Sequence, residues 1–306
     1  MWDTIMKCFK RFGLFVFLIL SSFLFASEDE NENTRSNYYL DDISLNAYKF
    51  RTIGPALTSG RISDFAVNPD NYHEYYVATS SGGVWKTVNS GVTYKPIFDG
   101  QGSYSIGCVT LDPNNPHAVW VGTGENNNQR SVAYGDGVYL SRDGGESWEN
   151  KGLKESEHIG KIIIDPRDSD LIYVAAIGPL WSEGGDRGVF KSTDGGNTWN
   201  TTGLSYAVAQ EERVNKIIIN PNYTDSIYAV TNSAILLSND GGSTFSSVGI
   251  IGRWRDIEFK PGNPSTIYAA KQSSGGSNVY KSVDGGANWS VINNGVATIG
   301  KYRPLI

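Results

Sequence analysis

The segment Ser192-Thr193-Asp194-Gly195-Gly196-Asn197-Thr198-Trp199 limits this chain more than any other, because close copies recur from Ser141 to Trp148, Ser238 to Phe245 and Ser282 to Trp289, and in worn form from Thr87 to Tyr94. A repeat at fixed offsets dictates architecture before single residues are read. At its tip, Asp-Gly-Gly supplies residues that tolerate positive φ, and the Asp carboxylate can fold back onto nearby backbone amides. The leading Ser or Thr adds a second local hydrogen bond. The closing aromatic (Trp148, Trp199, Phe245 or Trp289) is expected to turn back into the sheet. Each copy offers one carboxylate, Asp143, Asp194, Asp240 or Asp284, flanked by glycines. A hard cation needs several converging oxygens, so the box reads as a structural clasp, and neither metal nor cofactor is expected.

The box positions Asn89, Asp143, Asp194, Asp240 and Asp284 are 54, 51, 46 and 44 residues apart. Each interval holds an apolar strand that stops near a proline (Pro69, Pro113, Pro166, Pro221, Pro261), then a Tyr- or β-branched-rich strand, then a third strand running into the box. Proline removes a ladder donor and ends the first strand. A fourth short strand leaves from the closing aromatic. The fold class is therefore all-β: a β-propeller of four-stranded antiparallel blades with five recognisable repeats, over about 58–100, 101–153, 154–204, 205–250 and 251–295. The runs Ile162-Ile163-Ile164 and Ile217-Ile218-Ile219 lack helical spacing and suit strands buried on both sides. Residues 296–306 resemble the start of a further blade. Either the array continues in further C-terminal blades, the chain being a fragment of a larger propeller, or Tyr48 to Ile53 closes the ring. An open array leaves strand edges exposed.

Upstream, Lys7, Lys10 and Arg11 precede an apolar run from Phe12 to Leu20, small residues to Ala26, and then acidic sequence. This reads as a secretory signal over 1–26, with a polar, acidic tether over 27–47 and no integral membrane segment in the processed chain. The protein is thus expected in the periplasm, on the outer surface or secreted. Its formal net charge of -6 argues against nucleic acid as partner. Cys108, the one cysteine beyond the leader, reads as a small core residue; His73, His117 and His158 show no metal-ligand spacing.

In a four-stranded antiparallel blade the turns between strands one and two and between strands three and four share a face, so the boxes sit with the proline turns. A ligand should use the opposite face, where two connections are long: Gly124 to Asp136 and Gly178 to Arg187. The binding candidates there are Arg61, Glu125, Asn126, Asn127, Arg130, Tyr134, Trp181 and Arg187. Aromatic faces pack against peptide or sugar, while Asn and Arg orient it. Glycoside hydrolysis would instead need two carboxylates across a cleft, for which Glu125, Asp136, Glu183 and Asp186 are the candidates.

The boxes resemble the Asp-box, or BNR repeat, of bacterial sialidases, sortilin-type receptors and some endoglucanases. With Phe50 to Pro55, Ser59 to Ile62 and Ser81 to Lys86, the chain looks most like exported bacterial proteins with a sortilin-like domain, which often carry a glycosyl hydrolase label. Two departures weigh against chemistry. The Arg-Ile-Pro segment of sialidases is matched only by Arg61-Ile62-Ser63, and the acidic residue that precedes the Gly pair in xyloglucan-cleaving endoglucanases is replaced by Ser80-Ser81 before Gly82-Gly83. The expected function is binding of a protein, peptide or glycan without catalysis; the alternatives are a glycoside hydrolase and an extracytoplasmic assembly factor.

Overall fold

The structure, a computed structural model, describes residues 60–126, 132–206, 212–273 and 276–293. The expected leader, tether, Tyr48 to Ile53 segment and residues 296–306 lie outside these, as do Asn127 and Arg130. The described residues form five four-stranded antiparallel sheets, each in simple sequential order. The first blade holds β1 (Ile62–Val67), β2 (Tyr75–Thr79), β3 (Val84–Thr87) and β4 (Lys95–Pro96), and the second β5 (Ile106–Asp112), β6 (Asn115–Thr123), β7 (Val138–Ser141) and β8 (Glu149–Asn150). The third holds β9 (Ile159–Asp165), β10 (Asp168–Ala176), β11 (Gly188–Ser192) and β12 (Asn200–Ser205). The fourth is β13 (Val214–Ile219), β14 (Ile227–Thr231), β15 (Ile235–Ser238) and β16 (Ser246–Ser247), and the fifth β17 (Arg253–Lys260), β18 (Asn263–Ser273), β19 (Gly276–Ser282) and β20 (Ser290–Val291). Pro113, Pro166 and Pro261 directly follow the ends of β5, β9 and β17, where a missing amide does no harm. The first strands pack side by side, β1 on β5, then β9, β13 and β17, and so line the channel of a five-bladed propeller.

The core lies between blades. Ile162 and Ile164 pack with Trp120 and Leu140 of the second blade, while Ile163 faces Val214 and Ile217 of the fourth. Successive side chains of one strand thus enter two different cores, the physical reason for its unbroken apolarity. Cys108 belongs to the first of these clusters, and burial pushes its thiol up to about 12, far from the thiolate a nucleophile requires.

Each box is wired alike. Ser192 Oγ donates to Asp194 Oδ1 at 2.7 Å and accepts the Gly196 amide at 2.8 Å; Asp194 accepts the Thr198 amide at 2.9 Å and the Thr198 hydroxyl at 2.6 Å. The Gly195 amide donates to Asp170 O in the turn between β9 and β10, and Gly144 to His117, Gly241 to Asp225 and Gly285 to Ser265 repeat the link. Boxes and proline turns therefore share a face. One feature differs from expectation. The closing tryptophans reach the preceding blade, Trp148 Nε1 donating to Ile97 O and Trp199 Nε1 to Lys151 O, each at 2.7 Å. A second pin runs the other way: the hydroxyls of Tyr76, Tyr173 and Tyr228 donate to Gly144 O, Gly241 O and Gly285 O of the following box. The box clasps neighbours as well as its own turn.

These hydrogen bonds favour the ionised carboxylate. Asp194, Asp240 and Asp284 are held down to about 2, chiefly by the Thr198 hydroxyl, the Thr244 hydroxyl and the Asn288 amide respectively, and Asp143 is likewise depressed, first by the Ser147 hydroxyl. A carboxyl depressed on folding stabilises above its unfolded pKa of roughly 4, and the contribution is lost as pH falls through the folded value. Asp194→Ala is expected to lower the melting temperature at pH 7, the gap to the parent narrowing towards pH 2, with ligand affinity on the opposite face intact. A gap that stays constant across that range would remove the carboxylate from the account.

Candidate functional site

The site is built from a repeated irregularity of the channel strands. Every first strand pairs with its second through a register shift just after its first residue, between Ile62 and Asp64, Ile106 and Cys108, Val214 and Lys216, and Trp254 and Asp256, with the same shift where β9 meets Ala175 and Ala176. The extra residues are Ser63, Gly107, Gly160, Asn215 and Arg255. Those just before the shifted pairs are Arg61, Ser105, His158, Arg213 and Arg253. Together these positions form the channel lip on the box-free face. A bulge twists the strand and re-aims a side chain, so whatever occupies it is presented at the lip. In two blades a side chain is excluded: a Cβ on Gly107 would lie 2.1 Å from Ile159 O, and one on Gly160 2.6 Å from Asn215 O.

The long connection of the second blade is drawn inward. Glu125 is fully buried; its amide donates to Ser105 Oγ at 2.9 Å, one carboxylate oxygen pairs with the Arg61 guanidinium, and the other accepts no hydrogen bond among the described residues. Asn126 donates to Gly107 O at 3.0 Å and Gly160 O at 3.3 Å, bridging two channel strands. Tyr134 stays exposed, its ring 5.7 Å from that of His158. His158 is buried, and burial, reinforced by Arg213 and Arg187, lowers its pKa to about 4, so it is neutral near pH 7. Asp136 accepts the Tyr139 hydroxyl at 2.5 Å and the Thr123 hydroxyl at 3.2 Å.

The connection of the third blade is organised by Arg187. Only 2% exposed, it donates to the carbonyls of Gly184 at 2.8 Å, Ile177 at 3.1 Å, Pro179 and Ser182. The loop wrapped around it buries Leu180 and presents Trp181, 59% exposed, at the surface. Glu183 is exposed; Asp186 is half-buried, and burial followed by Glu155 raises its pKa. The four candidate carboxylates thus hold separate stations. None of them lines either cavity described below.

A cavity of about 510 Å³ opens beside this loop, lined by Leu180, Trp181, Glu212, Arg213, Asn232, Arg253 and Arg255. Arg213 is fixed by its amide to Asn232 Oδ1 at 3.0 Å and by its guanidinium to Leu180 O; Arg255 donates from Nε to Gln272 Oε1 at 2.9 Å. Glu212 accepts the Ser233 hydroxyl at 2.8 Å. Of the cavity's residues, only Trp181 is singled out by its loop. The others carry a signal visible only after the repeats are aligned: Arg61, Arg213 and Arg253 hold equivalent lip positions, and Arg255 the bulge position that is glycine in two other blades. Deeper in the channel a second cavity of about 240 Å³ is lined by Asp64, Lys161, Lys216, Asp256 and Glu258 among others. Its charges are matched, Lys161 to Asp64 at 2.6 Å and Lys216 to Asp256 at 2.5 Å and to Glu258.

Residues 187–301 match the family model described as sortilin, neurotensin receptor 3. Xyloglucanase Xgh74A of Acetivibrio thermocellus is 26% identical over 233 residues, which make up 71% of this chain and 24% of that protein. The chain therefore spans about a quarter of the length of this curated relative. The crystal structure of an ancestral GH74 enzyme superposes with a TM-score of 0.64 at 20% identity, over 79% of this chain and 32% of that one. YCF48 bound to D1 peptide gives 0.51 at 15% identity, over 80% of this chain and 71% of that one. At these identities the two structures speak to the fold alone. Together with the five blades, the matches bear out a sortilin-like propeller whose relatives carry a glycosyl hydrolase name. Among the described residues no helix is long and apolar enough to cross a membrane.

Proposed function

We propose that this chain is an exported propeller that binds a glycan on its box-free face without cleaving it. The observation that carries the reading is the composition of the cavity beside Trp181: an exposed indole, three arginines and a single carboxylate, Glu212. A pyranose presents an apolar C–H face to an aromatic ring and hydroxyls to orienting polar groups, and such a wall suits it. Hydrolysis needs two carboxyl groups about 5 to 9.5 Å apart across the scissile bond. Here Glu125 is engaged by Arg61 and Asp136 by Tyr139, and neither lines the cavity. Export rests on the basic and apolar stretch from Lys7 to Leu20.

Hydrolysis is the second reading, favoured by the xyloglucanase name of the curated relative. One experiment separates the two. Soluble polysaccharides and aryl glycosides are offered to the purified chain, to Trp181→Ala, and to Glu125→Gln and Glu183→Gln. The expected outcome is binding without turnover, weakened about tenfold by Trp181→Ala, the loss of about 1.4 kcal/mol of contact. Turnover abolished by either Gln substitution would establish the hydrolase.

A further inference from the structure

We infer that the cavity beside Trp181 selects carboxylated sugars, the uronic acids, over neutral ones; the inference rests on the glycan-binding reading above. It starts from charge. The chain as a whole is acidic, with a formal net charge of -6, yet this wall sets three guanidinium groups against one carboxylate. Glu212 Oε1 accepts the Ser233 hydroxyl, which holds that carboxylate at the rim. Cations gathered on an acidic protein repel one another, and an arriving anion relieves that repulsion.

The guanidinium groups are also held in place. Arg213 is tied through its amide to Asn232 and through its side chain to Leu180 O. Arg255 is held by Gln272 Oε1, with Asn215 Oδ1 at 3.5 Å from its Nη1. These partners are neutral amide oxygens, which orient a fork of donors without cancelling its charge. Arg253 stands exposed at the lip. A planar fork matches a planar carboxylate through two parallel hydrogen bonds, a fit that a neutral hydroxyl cannot reproduce.

Trp181 decides what the carboxylate is attached to. A small inorganic anion gains nothing from an indole that is 59% exposed. In a uronic acid the carboxylate projects from the edge of the ring. The ring's C–H face can therefore lie on the indole while the carboxylate reaches the arginines. The volume of about 510 Å³ falls within the span of ordinary ligand cavities.

The test is calorimetric titration of the purified chain with oligogalacturonate, the same oligosaccharide methyl-esterified, a neutral xyloglucan oligosaccharide and an acidic peptide. Expected are binding of oligogalacturonate, at least a tenfold loss on esterification, and weakening as salt rises. Arg253→Gln, at an exposed position that folding does not depend on, should cost about tenfold, and Arg253→Gln with Arg255→Gln more, thermal melting reporting whether the double variant is folded. If xyloglucan binds as tightly as oligogalacturonate and Arg253→Gln changes nothing, selection by charge is overturned while glycan binding stands. If no saccharide binds, or only the peptide does, both readings fall.

Discussion

Gly196→Ala is expected to destabilise the propeller by about 2 to 5 kcal/mol, read as a lower urea midpoint with unchanged slope. Two costs add. Gly196 has φ +78°, where an L-residue is strained by roughly 1 to 2 kcal/mol. A Cβ there would also stand 2.6 Å from Trp120 Cη2 of the second blade, and forcing volume into a packed contact costs about 1 to 3 kcal/mol. Gly262→Ala isolates the first cost: φ is +73° and nothing lies within 4 Å of the added atom. Were the two substitutions equally harmful, the packing of the box against the neighbouring blade would contribute nothing.

That neighbouring contact marks where the sequence stopped being legible. The turn itself was readable, because its chemistry is local: Ser192, Asp194 and Thr198 satisfy one another within one short segment. The blades were readable because strands of period two and prolines at fixed places recur with each box. The destination of Trp199 was not, since its partner, Lys151 O, is 48 residues away and its identity depends on how blades stack. The functional face was legible from strand alternation, which any antiparallel sheet obeys. The cavity was not. Arg213, Arg253 and Arg255 lie at the starts of apolar strands, not in long loops, and they meet only because a bulge recurs at the same place in each channel strand. Loop length marked Trp181; repeat register would have marked the arginines.

Arg187→Ala is expected to be the more damaging change, about 3 to 5 kcal/mol, and to abolish ligand binding as well. A buried guanidinium serving four carbonyls within Ile177 to Gly184 leaves each of them without its donor when removed, and a hydrogen bond to a charged group contributes roughly 1.5 to 3 kcal/mol. The loop closes around this one side chain, so its loss also releases Leu180 and Trp181 from the cavity wall. Arg187→Lys should rescue little, because an ammonium on a flexible stem cannot reproduce a planar fork whose Nε, Nη1 and Nη2 all donate. Arg253→Gln provides the contrast: affinity falls and stability does not. Measured together by thermal melting and titration, the pair distinguishes a residue that builds the site from one that meets the ligand. If Arg187→Ala melts like the parent and binds like it, the loop carrying Trp181 is held by something other than Arg187.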